Sequence, residues 1–78
     1  MRAAAPRIAG LYAVADSAWL DAGSFVPAVR AALDGGARVI QYRDKKNDSA
    51  QRETIARALN ALCREHDVPL LINDDVQL

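Results

Sequence analysis

The stretch RVIQYRDK, residues 38–45, passes from β-forming side chains to amide and charged ones as it runs toward its carboxyl end. Its first part, residues 38–42, predicts a strand. Residues 8–15 form a compact apolar run that predicts an earlier strand, buried on both faces. Residues 68–72 predict a third strand, which Asn73 and two aspartates follow. The chain therefore predicts three strands, with polar residues after the second and the third.

Two amphipathic helices are predicted between these strands. In the first, Ser24 is the predicted N-cap and Gly35-Gly36 ends the helix. In the second, Asp48 is followed three residues later by Gln51, which is the pattern of a capping box. Each segment repeats apolar residues at helical spacing, which predicts one buried face on each helix: Phe25, Val26, Val29, Ala32 and Leu33 in the first, and Ile55, Leu59, Leu62 and Cys63 in the second.

The predicted order, β-α-β-α-β with short connections, indicates parallel strands with helices packed outside them. This pattern continues either as an open doubly wound sheet or as a closed (β/α)8 barrel. A dinucleotide-binding open sheet needs a glycine-rich loop after its first strand, and residues 15–19 contain no glycine. Polar residues gather instead at the carboxyl ends of the later strands, as they do in barrels. We therefore expect residues 1–78 to be the N-terminal part of an α/β domain, a TIM barrel with parallel strands.

One face of the second strand carries the side chains of a candidate anion site. Because a strand alternates its faces, Gln41, Arg43 and Lys45 share one side if the strand stays extended, whereas Ile40 and Tyr42 face the helices. A guanidinium, an ammonium group and an amide close together suit a diphosphate, whose oxygens need several donors and neutralising charge. A solvated basic loop explains the same residues equally well, so the residue types alone leave both interpretations open.

The residues after the third strand, Asn73-Asp74-Asp75, form a candidate metal and substrate site. A carboxylate at the carboxyl end of a strand can bind Mg²⁺, which prefers oxygen ligands. The amide of Asn73 offers both a donor and an acceptor, which suits a heterocycle. Asn and Asp are also strong turn formers and helix caps, and Asp75 could equally cap a helix that begins with residues 76–78.

Composition limits the classes of function. Ten basic and ten acidic side chains cancel, so the chain has no net positive field for nucleic acid or acidic lipid. A single cysteine, Cys63, excludes an internal disulfide framework and a cysteine-based zinc cluster, and it fits a reducing compartment. No apolar run approaches the length of a membrane span. We therefore expect a soluble cytoplasmic protein that binds neither nucleic acid nor membranes.

Five separated motifs resemble the thiamine phosphate synthase family in order and spacing. They are Leu11-Tyr12-Ala13-Val14-Ala15-Asp16, Gly35-Gly36-Ala37, Gln41-Tyr42-Arg43-Asp44-Lys45, Leu62-Cys63 with His66, and Val68-Pro69-Leu70-Leu71-Ile72-Asn73-Asp74. The resemblance implies a TIM-barrel transferase. Such an enzyme joins 4-amino-2-methyl-5-hydroxymethylpyrimidine diphosphate to a thiazole phosphate and releases thiamine phosphate and pyrophosphate.

The same resemblance implies roles for individual residues. One motif and one later residue are expected to line the pyrimidine-diphosphate site: Gln41, Tyr42, Arg43, Asp44, Lys45 and Asn73. Asp74 is expected to bind Mg²⁺. No role is assigned to Asp75, because the residue at this position varies within the family. Arg43 and Lys45 are the expected catalytic residues, because fixed cations stabilise a departing pyrophosphate without a protein nucleophile.

The resemblance covers only the N-terminal portion of such an enzyme. Three strands cannot close an eight-stranded barrel, so we expect a fragment that is inactive by itself. It would expose a sheet face and an edge strand, which favours self-association. A second magnesium carboxylate and the thiazole-phosphate contacts would lie beyond Leu78. The alternatives are a thiazole tautomerase, another phosphate-binding barrel such as a sugar-phosphate epimerase, and an inert or binding-only piece.

A few isolated residues have ordinary structural explanations. Trp19 and Leu20, in the loop after the first strand, are expected to fold back onto the body, with packing favoured over substrate stacking for Trp19. Cys63 is expected to be a buried structural thiol. Tyr12 and Asp16 have the parity to face the barrel interior, which makes them secondary candidates for the site.

Overall fold

The computed structural model of the chain describes the backbone of residues 7–9 and all of residues 12–73. The strands are β1 Arg7–Ala9, β2 Tyr12–Asp16, β3 Val39–Arg43 and β4 Leu70–Asn73, and the helices are α1 Phe25–Asp34 and α2 Ser49–Glu65. A short 3-10 turn, Ala22–Ser24, leads into α1. Neither helix of the described ranges has the length and apolar character that crossing a membrane requires.

The four strands form one sheet in the order β1-β2-β3-β4. Strand β2 pairs in parallel with β3, β3 pairs in parallel with β4, and one helix connects the members of each pair. This confirms the predicted β-α-β-α-β arrangement of three parallel strands, as in part of a TIM-barrel-like fold. Strands β3 and β4 lie slightly farther along the chain than residues 38–42 and 68–72, where they were predicted.

The prediction of one strand over residues 8–15 is wrong. Arg7–Ala9 and Tyr12–Asp16 are separate strands that pair antiparallel, with Ala9 opposite Tyr12. Only Gly10 and Leu11 lie between the two strands in the sequence. The apolar run did not indicate this reversal, because the sequence remains apolar across the point where the chain turns back.

The ends of the helices follow from local chemistry. Asp48 Oδ1 accepts the backbone N–H of Gln51 at 2.8 Å, and Gln51 Oε1 accepts that of Asp48 at 3.3 Å, so the predicted capping box is confirmed. Ser24 occupies the N-cap position of α1 as predicted. Its hydroxyl donates to Asp21 Oδ1 at 2.6 Å instead of capping the helix, which corrects that prediction. Gly36, with a φ of 100°, follows α1 in a conformation that favours glycine.

Both helices pack on one face of the sheet and bury an apolar core. The core includes residues from the sheet (Ala13, Ala15, Ile40 and Tyr42), from α1 (Phe25, Val29, Ala32 and Leu33), from α2 (Ile55, Leu59, Leu62 and Cys63) and from the connections (Leu20 and Ala37). The rings of Phe25 and Tyr42 meet edge to face, with centroids 5.1 Å apart. The predicted burial of the Cys63 thiol is confirmed, and this burial raises its pKa.

The opposite face of the sheet is much more exposed. Burial alternates along β3, and Val39, Gln41 and Arg43 are only half-buried. On the same face, Tyr12 is 36% exposed and Leu71 is 49% exposed. The apolar runs predicted strands buried on both faces, whereas in the described residues the two helices cover only one face. The other face, which bears the candidate site, is accessible. This exposed face agrees with the expectation that this chain by itself exposes a sheet face.

Candidate functional site

The carboxyl ends of the three parallel strands place three polar residues in one row across the sheet. Asp16 at the end of β2 pairs with Arg43 at the end of β3, and Arg43 pairs with Asn73 at the end of β4. Paired residues of parallel strands lie on the same face, and neighbouring strands are about 4.8 Å apart. Arg43 therefore lies between a carboxylate and an amide, on the face that the helices do not cover.

Asp16 contacts Arg43 directly. Its Oδ2 atom lies 3.7 Å from Arg43 Nη1, and its Oδ1 atom accepts the backbone N–H of Ala18 at 2.9 Å. The side chain of Asp16 is 12% exposed and that of Arg43 is 34% exposed, so water screens the pair only partly. The carboxylate thus restricts where the guanidinium lies, and the guanidinium remains reachable from solvent.

Gln41 lies on the same face of β3, two residues before Arg43. Its Oε1 atom accepts a hydrogen bond from the hydroxyl of Tyr12 on the adjacent strand. An amide whose oxygen is bound in this way keeps its NH₂ group as a donor, which suits an acceptor atom on a substrate. Gln41 and Arg43 share a face as predicted. Each is contacted by one of the two secondary candidates, Gln41 by Tyr12 and Arg43 by Asp16.

Lys45 follows the end of β3 in a bend, so the strict alternation of the strand does not extend to it. Its backbone N–H donates to Ser17 Oγ at 3.0 Å, just beyond the end of β2. The backbone N–H of Ser17 donates to the carbonyl oxygen of Arg43 at 2.9 Å. These bonds keep the exposed Lys45 at the same edge of the sheet as Arg43.

Tyr42 and Asp44, which were also predicted to line the substrate site, contact each other on the helix side of the sheet. The hydroxyl of Tyr42 donates to Asp44 Oδ2 at 2.6 Å. The same carboxylate accepts the backbone N–H groups of Lys46 and Asn47, both at 3.0 Å, and the Asn47 amide at 2.8 Å. These contacts shape the loop after β3. Direct contact of Tyr42 and Asp44 with a substrate stays a prediction.

The same hydrogen bonds shift the pKa values of both groups. Burial, together with the hydrogen bond and the negative charge of Asp44, raises the pKa of the Tyr42 hydroxyl far above its ordinary value. Burial alone would raise the pKa of Asp44, but the donors from Asn47, Tyr42 and Lys46 outweigh it and lower that pKa. Asp44 is therefore an ionised acceptor and Tyr42 a neutral donor at neutral pH.

The row and the loop after β3 fall within residues 11–78, which match the family described as thiamine monophosphate synthase. The chain belongs to the thiamine monophosphate synthase family. It is 52% identical over 69 residues to the thiamine-phosphate synthase of Marinobacter nauticus, an alignment that covers 88% of this chain. The chain spans 31% of the length of that curated relative. No solved structure matches it.

Membership of the thiamine monophosphate synthase family confirms the resemblance drawn from the five motifs. The segment that matches the family contains every predicted site residue, from Gln41 to Lys45 and from Asn73 to Asp74. The individual roles of these residues are not tested by the match, and they stay predictions.

The magnesium ligand predicted for this thiamine monophosphate synthase family member, Asp74, lies outside the described residues, as does Asp75. Among residues 7–9 and 12–73, no group of three or more His, Cys, Asp or Glu side chains is arranged to hold a metal ion. The described neighbour of Asp74 is Asn73, whose amide oxygen is a hard donor of the kind that Mg²⁺ accepts. Arg43, paired with Asn73, suits the phosphate that such an ion accompanies. The amide of Asn73 is compatible with Mg²⁺, and the role of Asp74 as its ligand stays a prediction.

The sequence analysis did not identify the contribution of Ser17 to this site, and it predicted for Trp19 a burial that the structure does not show. Ser17 is 7% exposed and bonds to the loop after β3. A serine that follows a strand resembles any turn residue, and its partner Lys45 is distant in the sequence, so only the strand register could have revealed it. Trp19 is 44% exposed, so its predicted packing onto the body is wrong, whereas Leu20 is buried as predicted.

Proposed function

We propose that this chain is the part of a thiamine phosphate synthase that binds the charged end of a pyrimidine diphosphate. The observation that carries the proposal is the position of Arg43 between Asp16 and Asn73 at the carboxyl edge of the parallel strands, with Lys45 in the adjoining loop. Substrates of parallel β/α folds bind at this edge. Membership of the family and the similarity to the Marinobacter nauticus protein support the same assignment.

In the proposed reaction, 4-amino-2-methyl-5-hydroxymethylpyrimidine diphosphate is joined to a thiazole phosphate, which gives thiamine phosphate and pyrophosphate. The bond between the pyrimidine methylene carbon and the diphosphate oxygen breaks, and the thiazole nitrogen forms the new bond to that carbon. Both electrons of the broken bond leave with pyrophosphate, so negative charge builds on the leaving group. The electron-rich aminopyrimidine stabilises the methylene carbon as it becomes electron-poor.

Arg43 and Lys45 are the proposed catalytic residues. A guanidinium presents a rigid fork of donors and an ammonium group is a compact charge, so together they neutralise a departing pyrophosphate. Asp16 contacts the guanidinium of Arg43, and Ser17 binds the backbone of Lys45. Cations that are held in place need little reorganisation when charge develops, which is the source of electrostatic catalysis. The reaction requires no protein nucleophile.

The other predicted contacts concern the pyrimidine and the metal. Gln41 and Asn73 carry amides that can donate to and accept from a heterocycle. Tyr42 and Asp44 act in this proposal chiefly by shaping the loop after β3. Asp74 is the proposed ligand of Mg²⁺, which supplies charge neutralisation on the diphosphate when it is bound.

The proposal also covers the thiazole-phosphate site, self-association of the chain and its cellular compartment. Because the chain matches 31% of the Marinobacter nauticus synthase, we assign the thiazole-phosphate contacts to the part of such an enzyme that the match does not cover. The exposed side chains of Leu71 and Ile72 support self-association of the isolated chain. The proposed compartment is the cytoplasm, in keeping with the reduced, buried Cys63.

A segment exchange tests this function. The matching 69 residues of the Marinobacter nauticus synthase are replaced by those of this chain, and the resulting full-length protein is called the exchange protein. We expect the exchange protein to form thiamine phosphate from the two substrates with Mg²⁺, and the chain by itself to form none. An exchange protein that melts cooperatively and yet makes no thiamine phosphate would contradict the proposal. Isomerisation of a thiazole substrate in its place would favour a tautomerase.

A further inference from the structure

Ser17 binds the backbone of both proposed catalytic residues. Its N–H donates to the carbonyl oxygen of Arg43 at 2.9 Å, and its hydroxyl oxygen accepts the N–H of Lys45 at 3.0 Å. Ser17 is 7% exposed, so these bonds are shielded from competing water. One residue at the exit of β2 therefore spans the segment of β3 and its loop that carries the two cations.

Asp16, the preceding residue, restricts the guanidinium itself. Its carboxylate is oriented by the bond from the Ala18 N–H to Oδ1, and its Oδ2 atom lies 3.7 Å from Arg43 Nη1. A guanidinium has five N–H donors in a fixed plane, so it can bind a carboxylate and a phosphate at the same time. The contact with Asp16 thus helps to set the direction of the Arg43 guanidinium.

These contacts matter because β3 ends at Arg43, the first of the two cationic residues. The ladder of the sheet therefore no longer fixes the chain at Lys45. Arginine and lysine side chains lose much conformational entropy when they are ordered around a ligand. A backbone and a guanidinium that are ordered before the anion arrives reduce that loss and raise affinity.

We propose that Asp16 and Ser17 are positioning residues that set Arg43 and Lys45 in place for a diphosphate anion. This inference rests on the proposed function, because it takes Arg43 and Lys45 as the groups that bind the diphosphate. Ser17 acts on the backbone of the segment, and Asp16 acts on the side chain of Arg43. Neither residue touches the substrate.

The test measures binding of inorganic pyrophosphate, with Mg²⁺, to the 78-residue chain by calorimetry. Ser17→Ala removes the hydroxyl that Lys45 binds, and we expect affinity to fall about tenfold, which corresponds to about 1.4 kcal/mol. Ser24→Ala is the matched control, since it also removes one serine hydroxyl bond in the same connection, to Asp21. We expect Ser24→Ala to leave affinity within about twofold of the unmodified chain. Ser17→Thr keeps the hydroxyl and should restore most of the affinity.

Asp16→Asn gives a second result whose sign is decisive. The amide oxygen of an asparagine can still accept the Ala18 N–H, so the local turn is kept while one negative charge is removed. If Asp16 acted only as a nearby charge, its removal would tighten the binding of an anion. If it positions Arg43, affinity falls about tenfold although repulsion is relieved. Asp34→Asn removes the same charge at the end of α1 and should leave affinity unchanged.

The proposal is overturned if Ser17→Ala binds pyrophosphate as the unmodified chain does, or if Ser24→Ala loses as much affinity. Tighter binding by Asp16→Asn overturns it for that residue, and the absence of pyrophosphate binding by the unmodified chain overturns it for both. The proposed function is judged separately, by formation of thiamine phosphate in the exchange protein without these substitutions. Failure of the positioning inference and failure of the function are therefore distinct results.

Discussion

The hydroxyl of Tyr42 donates a 2.6 Å hydrogen bond to Oδ2 of Asp44, two residues farther along the chain. Because β3 alternates its faces, this bond lies on the helix side, whereas Arg43 between the two residues faces the candidate site. The bond orients the carboxylate, which in turn accepts two backbone N–H groups of the following turn. The loop that carries Lys45 is thus anchored to the core on one side and to Ser17 on the other.

Tyr42→Phe removes this bond and keeps the ring that packs against Phe25. We expect the free energy of unfolding to fall by about 1.5–3 kcal/mol, because a buried carboxylate loses a donor. Urea unfolding followed by circular dichroism measures the difference. Tyr12→Phe is the matched control, since its hydroxyl bonds to Gln41 on the exposed face, and its loss should stay below about 1 kcal/mol. Equal losses in the two variants would contradict the importance of the buried bond.

Asp44 should make stability depend on pH. Although burial opposes ionisation, the hydrogen bonds to this carboxylate lower its pKa in the folded chain. A carboxyl group with a lowered folded pKa contributes stability above its unfolded pKa of about 3.9, and that stability is lost as pH falls through the folded pKa. We therefore expect the free energy of unfolding to decline below about pH 5, and Asp44→Asn to remove part of the decline. Urea unfolding at a series of pH values, compared between the unmodified chain and Asp44→Asn, measures this difference.

The starts of the two helices should respond differently to loss of the cap residue. Asp48→Ala removes a complete capping box from α2, and we expect unfolding free energy to fall by about 1 kcal/mol. Ser24 occupies the corresponding position of α1 without capping it, so Ser24→Ala should change this free energy by less than about 0.5 kcal/mol. Thermal and urea unfolding of both variants check the contrast. A larger loss for Ser24→Ala would mean that its bond to Asp21 fixes the entry to α1.

The helices and the parallel strands were predictable because each has a local signal. The capping box at Asp48 and the glycines after α1 mark helix ends within a few residues. The reversal between Ala9 and Tyr12 has no such signal, since apolar residues lie on both sides of it. An apolar run shows that a strand can be covered on both faces and does not show what covers it. The exposed sheet face followed instead from the argument that three strands cannot close a barrel.

Alternation of side chains along a strand made only part of the candidate site predictable. Gln41 and Arg43 share a face because both lie within β3, and Asp16 and Asn73 join Arg43 through the register of the neighbouring strands. The bond of Ser17 to the loop depends on that register, which a single sequence does not contain. A single sequence therefore reveals side chains whose residue type suits a ligand more readily than side chains that hydrogen-bond to a distant backbone segment.

The most direct prediction concerns turnover by the exchange protein. Arg43→Ala and Lys45→Ala should each lower kcat/KM by about 10²–10³, because each removes a fixed positive charge from the departing pyrophosphate. The loss should appear mainly in kcat, since negative charge on the leaving group grows in the transition state. Arg57→Ala is the matched control: this arginine pairs with Glu53 on the exposed face of α2, and its removal should leave kinetics unchanged. Thermal melting shows whether each variant folds. Near-normal turnover by well-folded Arg43→Ala or Lys45→Ala protein would remove that residue from the mechanism, and equal losses in the Arg57 control would attribute the effect to net charge.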